Sequence, residues 1–184
     1  MNVIASPGQL RVSLLRWVLV TVPTLLLLGL LSGKLAGSGP ENPWFAALAK
    51  PGVYPPPQAF GIVWSVLYAM MGVALALVIS ARGARGRGAA VIVFAIQLVL
   101  NLAWSPIFFA YHSMSGALIV LALLDIAIIV TLVLFWRVRR LAGLLLVPYL
   151  LWAGFATYLN WEILRLNPDF DGTDVSGAVE RIEL

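Results

Sequence analysis

The chain has 184 residues, 61% of them hydrophobic and only 11% charged, and its mean hydropathy is +0.97. Soluble domains run near half apolar and a quarter charged, so this composition belongs to an integral membrane protein. Cysteine is absent, which excludes a disulfide framework, a thiolate nucleophile and a thiolate metal site; the net charge of +4 sits in short loops between apolar runs, where basic residues report topology rather than nucleic-acid binding.

Five stretches, at about 14–35, 59–80, 89–110, 115–136 and 141–164, reach the roughly 20 residues that a helix needs to cross hydrocarbon. They predict an all-α membrane protein, a five-transmembrane-helix bundle in one domain over 1–184, with a long proline-rich loop between the first two spans. Connections after the second, third and fourth spans are short, so each of those neighbours is expected to pack as an antiparallel hairpin.

The first apolar run follows Arg11 and Arg16 as a secretory signal would, but it is long for one, and Ala36-Gly37-Ser38 is a poor cleavage site. It reads as a span, with Pro23 inside it. The loop that follows opens on Gly37-Ser38-Gly39-Pro40. A short amphipathic segment then starts at Asn42-Pro43, whose Trp44 and Phe45 are expected to anchor in the headgroup region. Lys50-Pro51-Gly-Val-Tyr54-Pro55-Pro56-Pro57 makes a stiff lid, because proline lacks the amide donor and extends its predecessor; all three consecutive prolines are expected to lie outside helix.

In the second span Trp64, Tyr68, Met71 and Gly72 share one helical face. In the third, Gln97, Asn101, Trp104 and Ser105 do the same; two amides near mid-membrane are costly toward lipid and should point into the bundle. Gln97 is expected to hold helices together and Asn101 to be able to reach a ligand. His112 lies in a turn with a structural role. Asp125, amid aliphatic residues of the fourth span, is either a proton or cation site or a neutral carboxyl hydrogen-bonded to another helix. In the fifth, Trp152, Ala156, Leu159 and Asn160 form one face, a slot suited to a flat ligand. Glu162 and Arg165 should pair locally, Asn167-Pro168 stops the helix, and a polar tail over 168–184 is expected to be mobile.

Arg11, Arg16, Arg82, Arg85, Arg87, Arg137, Arg139 and Arg140 fall on one side, eight of the 12 basic residues. The positive-inside rule then puts the N-terminus in the cytoplasm if the protein resides in an inner or plasma membrane.

Together Lys50-Pro51 with Pro55-Pro56, Gly61-x-Val-Trp64-x-x-Leu-Tyr68-x-x-Met71-Gly72, Gln97-Leu-x-x-Asn101-x-x-Trp104-x-Pro106-x-Phe108-Phe109 and Pro148-Tyr149-Leu150-x-Trp152 through Ala156-Thr157-x-Leu159-Asn160 carry a resemblance. Over residues 43 to 167 the chain resembles the TspO/MBR family, the tryptophan-rich sensory proteins that include the translocator protein or peripheral-type benzodiazepine receptor. The resemblance implies a five-helix bundle, commonly a homodimer, with a ligand pocket beneath the first loop. Its ligands are porphyrins of the protoporphyrin IX type, sterols in some lineages, and synthetic isoquinoline carboxamides and benzodiazepines. By motif position Trp64, Asn101 and Trp152 line the pocket, with Ala156 and Leu159 on the same wall. Tyr68 and Trp104 share these faces, and Lys50, Pro51, Tyr54, Pro55 and Pro56 form the lid. The indoles can sandwich a planar macrocycle, and the amide can fix a carbonyl.

The chain departs from the family where it has Val53 and Gly116 in place of tryptophans, which makes the pocket less aromatic. Trp161 stands where the cholesterol-recognition pattern leading to Arg165 needs a tyrosine, so sterol is not the expected physiological ligand. No cofactor or metal site is expected, and metal-free porphyrin is favoured over haem for want of an axial ligand. Binding in the service of tetrapyrrole sensing, transport or regulation is the leading expectation. Light- and oxygen-dependent porphyrin degradation through Trp64 and Trp152 is the alternative, and a proton-coupled transporter using Asp125 is a second one.

Overall fold

In the computed structural model, residues 7–173 are described, and they fold into helices α1 (Pro7–Leu35), α2 (Pro43–Ala47), α3 (Pro57–Ser80), α4 (Arg87–Ser105), α5 (Met114–Val138) and α6 (Arg140–Leu166). A π-helical turn, Pro106–Ala110, prolongs α4, and a 3-10 turn, Pro168–Phe170, follows α6. All but α2 are long and apolar enough to span a bilayer, α4 together with its π turn. The chain is an integral, multi-pass membrane protein.

Most boundaries fall within a turn of those read from the sequence, with two informative exceptions. The first helix begins at Pro7, seven residues earlier than expected. Pro57 is the first residue of α3 rather than part of the lid. The first helical position needs no amide donor, and the fixed φ of proline suits it.

Packing runs around the bundle in the order α1, α3, α6, α5, α4, with α4 closing lightly back onto α1 and α3. The hairpins α4–α5 and α5–α6 form as expected. The α3–α4 hairpin does not: these helices touch only slightly. A cavity opens between them and takes the place of side-chain interdigitation.

Close approach of α1 and α3 depends on Gly72. A Cβ there would lie 2.7 Å from Val22 Cα, and Thr21 Oγ1 donates to the Gly72 carbonyl at 2.7 Å. On α4, Pro106 cannot donate to the carbonyl one turn back, that of Leu102, and Ser32 Oγ of α1 supplies the bond instead at 2.7 Å. The wider turn after Pro106 places both Phe108 and Phe109 inward, where they are buried.

The loop above the cavity is folded onto the end of α6. Asn42 caps α2 by accepting from Phe45 N (3.0 Å) and donates to the Phe109 carbonyl (3.2 Å). Asn167 accepts from Ala49 N at 2.8 Å and donates to Ala49 O at 2.9 Å, a two-way clamp. Trp44 and Phe45, expected at the headgroups, are 1% and 5% exposed. Trp44 packs edge-on to Phe108, stacks on His112 at 4.7 Å and donates to the Phe170 carbonyl. Their rings form the hydrophobic core of the loop rather than its membrane anchor. The first residues of the tail expected to be mobile are instead held in place: the Phe170 carbonyl accepts from Trp44, and Asp171 Oδ1 accepts from Met114 N (2.6 Å) and Ser115 N (3.1 Å) at the start of α5. The remainder of that tail, 174–184, lies outside the described residues.

Replacing Gly72 with leucine should force α1 from α3 and cost about 1–3 kcal/mol, seen as a lower thermal unfolding midpoint in detergent. Gly88→Leu, with open space around its Cβ position, should leave the midpoint unchanged. Asn167→Leu should speed hydrogen exchange over 42–54 while exchange in α5 stays as in the wild type.

Candidate ligand-binding cavity

The cavity between α1, α3, α4, α5 and α6 has a volume of about 480 Å³, within the range of small-molecule sites. Its wall begins with Leu26, Gly29, Leu30 and Gly33, a stripe on α1 at i, i+3, i+4 and i+7. Phe60, Trp64 and Tyr68 of α3 stand at successive turns, as do Asn101, Trp104 and Ser105 on α4. Leu121 and Leu124 of α5, then Ala156, Leu159, Asn160 and Ile163 of α6, complete it, and Phe45 and Tyr54 cover it from the loop. Gly29 is required here because a side chain would enter the Tyr68 ring.

Polar groups at the inner end are paired with one another. Tyr68 Oη donates to Asn101 Oδ1 (2.5 Å), Asn101 Nδ2 donates to Tyr149 Oη (3.0 Å), and Tyr149 Oη donates to Gln97 Oε1 (2.8 Å). Gln97 binds helices together as expected. Asn101, expected to fix a ligand carbonyl, has its oxygen and a nitrogen engaged by two tyrosines while still facing the cavity. Trp104 Nε1 donates to Asn160 Oδ1 at 3.2 Å, and Asn160 Nδ2 to the Met114 carbonyl at 2.9 Å. Trp104 stacks on Phe108 at 5.3 Å, and Trp64 lies 5.7 Å from Tyr68 and edge-on to Tyr149 at 6.3 Å. The result is an aromatic slot whose indole and amide orientations are preset.

Trp64, Tyr68, Asn101, Trp104, Ala156 and Leu159 are therefore brought together as the sequence faces implied. Trp152 is not. It occupies the outer seam between α3 and α6 with Val63, Met70, Pro148 and Phe155. One turn before Ala156, it stands at the level where α3 meets α6, edge-on to Phe60 at 5.8 Å, so its ring fills the helix seam. Its Nε1 is buried and makes no hydrogen bond among the described residues.

Of the lid residues, Tyr54 lines the cavity, and Lys50, Pro51, Pro55 and Pro56 do not. Lys50 instead closes the end of α2: Nζ donates to the carbonyls of Phe45 (2.6 Å) and Leu48 (2.8 Å) and lies 4.5 Å from the Phe45 ring centre. Burial lowers its pKa from the ordinary lysine value. Burial likewise raises the Tyr54 phenol to about 12. Asp125 also stands apart from the cavity, its Oδ2 accepting from Thr157 Oγ1 at 2.8 Å. That is the helix-to-helix hydrogen bond left open as one of its two readings. Glu162 and Arg165 pair at 2.8 Å as expected, and His112 adopts a left-handed φ of 52° in its turn.

Phe45, Phe60 and Ile163 are cavity residues that the sequence reading left unassigned to the site, and Tyr149 is a missed member of its polar support. For Ile163 the signal was present in the helical spacing from Ala156. For Tyr149, a buried amide pair on α4 that needed partners was the clue.

Comparison with known proteins agrees with this architecture. The TspO/MBR family model matches residues 19–166. The chain belongs to the TspO/MBR family. It is 45% identical over 130 residues to the tryptophan-rich protein TspO of Chlorobaculum tepidum, covering 70% of this chain and 82% of that one. It is 39% identical to protein CrtK of Rhodobacter capsulatus, over 68% of this chain and 79% of the relative. The human translocator protein is 39% identical over 147 residues, 79% of this chain and 87% of the human protein. The matched region contains every residue that lines the cavity.

Two outcomes follow for the site. Tyr149→Phe should strand the Asn101 and Gln97 amides and cost about 1–3 kcal/mol, read as a lower unfolding midpoint without loss of the cavity aromatics. Because the folded phenol of Tyr54 ionises at about 12 against 10 when unfolded, its contribution is fully present below pH 10 and is lost as pH rises through the folded value. An alkaline stability profile of the wild type should accordingly fall more steeply over that window than that of Tyr54→Phe.

Proposed function

We propose that the protein binds porphyrins of the protoporphyrin IX type and similar flat hydrophobic molecules in this cavity, and acts in tetrapyrrole sensing, transport or regulation. The observation that carries the reading is the slot itself: about 480 Å³ between helices, walled by Trp64, Trp104, Phe60 and Tyr68. Face-on and edge-on aromatic contact suits a planar macrocycle, and the fixed ring orientations reduce the entropy lost on binding. No histidine, methionine or carboxylate lines the cavity among the described residues. The two tyrosines that line it are poorly placed to serve as iron ligands, since Tyr68 gives its hydroxyl to Asn101 and burial holds the Tyr54 phenol in its neutral form; this favours the metal-free macrocycle over haem, whose iron takes His, Met, Cys or Tyr axial ligands. Family membership supports the reading, and the names sensory protein and translocator protein that relatives carry are consistent with it.

Light-dependent porphyrin degradation is the second reading. What favours it is that two indoles, Trp64 and Trp104, face the space a porphyrin would fill. Asp125 supports no comparable case for proton-coupled transport through the cavity, since it lies outside its lining.

Titration of the purified protein with protoporphyrin IX in darkness should give saturable tryptophan quenching. Trp64→Ala should weaken binding about ten-fold through lost stacking and burial, while Trp136→Ala and Asp125→Asn stay near the wild-type affinity. Equal affinity in the wild type and Trp64→Ala would sink the cavity assignment. Under illumination, survival of the porphyrin bands supports binding alone, whereas their tryptophan-dependent loss supports degradation.

A further inference from the structure

Lys34 is the one charged side chain among the described residues that line the cavity. It stands in the last turn of α1, exposed, on the same rim as Ser38, Gly39 and Pro40. Its place on the helix is what matters. Leu26, Gly29, Leu30 and Gly33 form the cavity stripe of α1, and Lys34 continues that stripe at i+8 from Leu26 and i+4 from Leu30. Leu30 and Leu31 one turn below Lys34 and Leu27 two turns below it are all exposed, so Lys34 stands where the cavity stripe borders the outer face of α1. From that border it lines the mouth of the slot.

The charge also stands uncompensated within the site. No aspartate or glutamate lines the cavity, Glu41 of the same loop included, and Lys34 forms no ion pair among the described residues. The other lysine at this end of the bundle, Lys50, is spent on the carbonyls of Phe45 and Leu48 and does not line the cavity. An apolar aromatic chamber with a single cation at its rim is complementary to one kind of molecule. That molecule has a flat apolar body that fills the chamber and an anionic group left at the mouth.

We infer that Lys34 is an anion subsite at the mouth of the cavity, and that it makes the site select flat ligands bearing a carboxylate or another anionic group over their neutral counterparts. This rests on the proposed use of the cavity as a ligand site and adds the charge of the ligand to it. A cation near a helix C-terminus also complements the helix dipole, and a long stem can reach headgroups. Those roles make no distinction between a ligand acid and its ester.

The test uses that distinction. Full-length wild type, Lys34→Gln and Lys34→Arg are placed in phosphatidylcholine nanodiscs and titrated in darkness with protoporphyrin IX and its dimethyl ester. The same titrations are run with 1-pyrenebutyrate and its methyl ester as a second flat pair. The wild type should favour each acid over its ester, and Lys34→Gln should weaken the acid about five-fold, the upper range for an exposed charge pair, with the ester unchanged. Lys34→Arg should keep the preference, and Arg82→Gln, at the other end of α3, should match the wild type. Unchanged ester binding in Lys34→Gln serves as the check that the cavity is intact. An acid-to-ester ratio identical in wild type and Lys34→Gln overturns the inference, and is the result expected if the lysine serves only lipid phosphates. If the pyrene pair shows the Lys34-dependent preference and neither porphyrin binds, the anion subsite stands and the tetrapyrrole reading falls. If porphyrins bind without regard to Lys34, the reverse holds.

Discussion

Four polar side chains from three helices meet inside an apolar bundle. Tyr68 of α3, Asn101 and Gln97 of α4 and Tyr149 of α6 are joined in a single chain of hydrogen bonds that leaves only the Gln97 Nε2 without a partner among the described residues, and the alternative, bare amides in an apolar interior, costs several kcal/mol per group. This requirement decides how α4 and α6 rotate about their axes and where α3 must stand relative to both. Once those rotations are set, the remaining residues of the same faces have no freedom left: Trp64 and Trp104 have to look into the space between α3 and α4. The cavity is what is left when the polar chain holds three helices together at its inner end and the bulk of the aromatic rings holds them apart above it.

The loop works by the same economy. It contains no regular element longer than α2, yet its polar groups are paired: Asn42 on Phe109, Ala49 on Asn167 and Trp44 on Phe170 across the bundle, and Lys50 on the carbonyls ending α2 within the loop itself. Asp171 adds the start of α5 to that network. Prolines stiffen the return into α3, but the closure over the cavity is made by the buried ring of Phe45 and the half-buried ring of Tyr54. The loop is thus a tertiary cap whose stability comes from the far end of the chain.

Membership of the TspO/MBR family, the aromatic slot and the charge at its mouth address different levels of function. The first is a fact of sequence and fold, the second underlies the proposed binding of flat molecules, and the third underlies the proposed selection between ligands that differ only in charge. The seam that holds Trp152 has a different character. There the indole meets the rings of Phe60 and Phe155, at 5.8 and 5.5 Å, and acts as packing between α3 and α6.

Much of this protein was legible in its sequence because the bilayer imposes a simple rule. A run of about 20 apolar residues has one stable backbone solution, so five spans, their ends and the inward turn of Gln97 and Asn101 followed from hydropathy and a 3.6-residue period. The start of the short helix at Asn42-Pro43 and the pairing of Glu162 with Arg165 were equally readable. What a helical period cannot state is which neighbour lies across from a given face at a given depth. Trp152 and Ala156 share a face by spacing, yet one turn separates the α3–α6 seam from the open slot. Trp44 looks like a headgroup anchor until Phe108 and Phe170 enclose it. Adjacent spans α3 and α4 look like a hairpin until the cavity parts them. Each of these was decided by contacts between residues far apart in the chain, where packing volume and hydrogen-bond pairing, rather than local propensity, set the outcome.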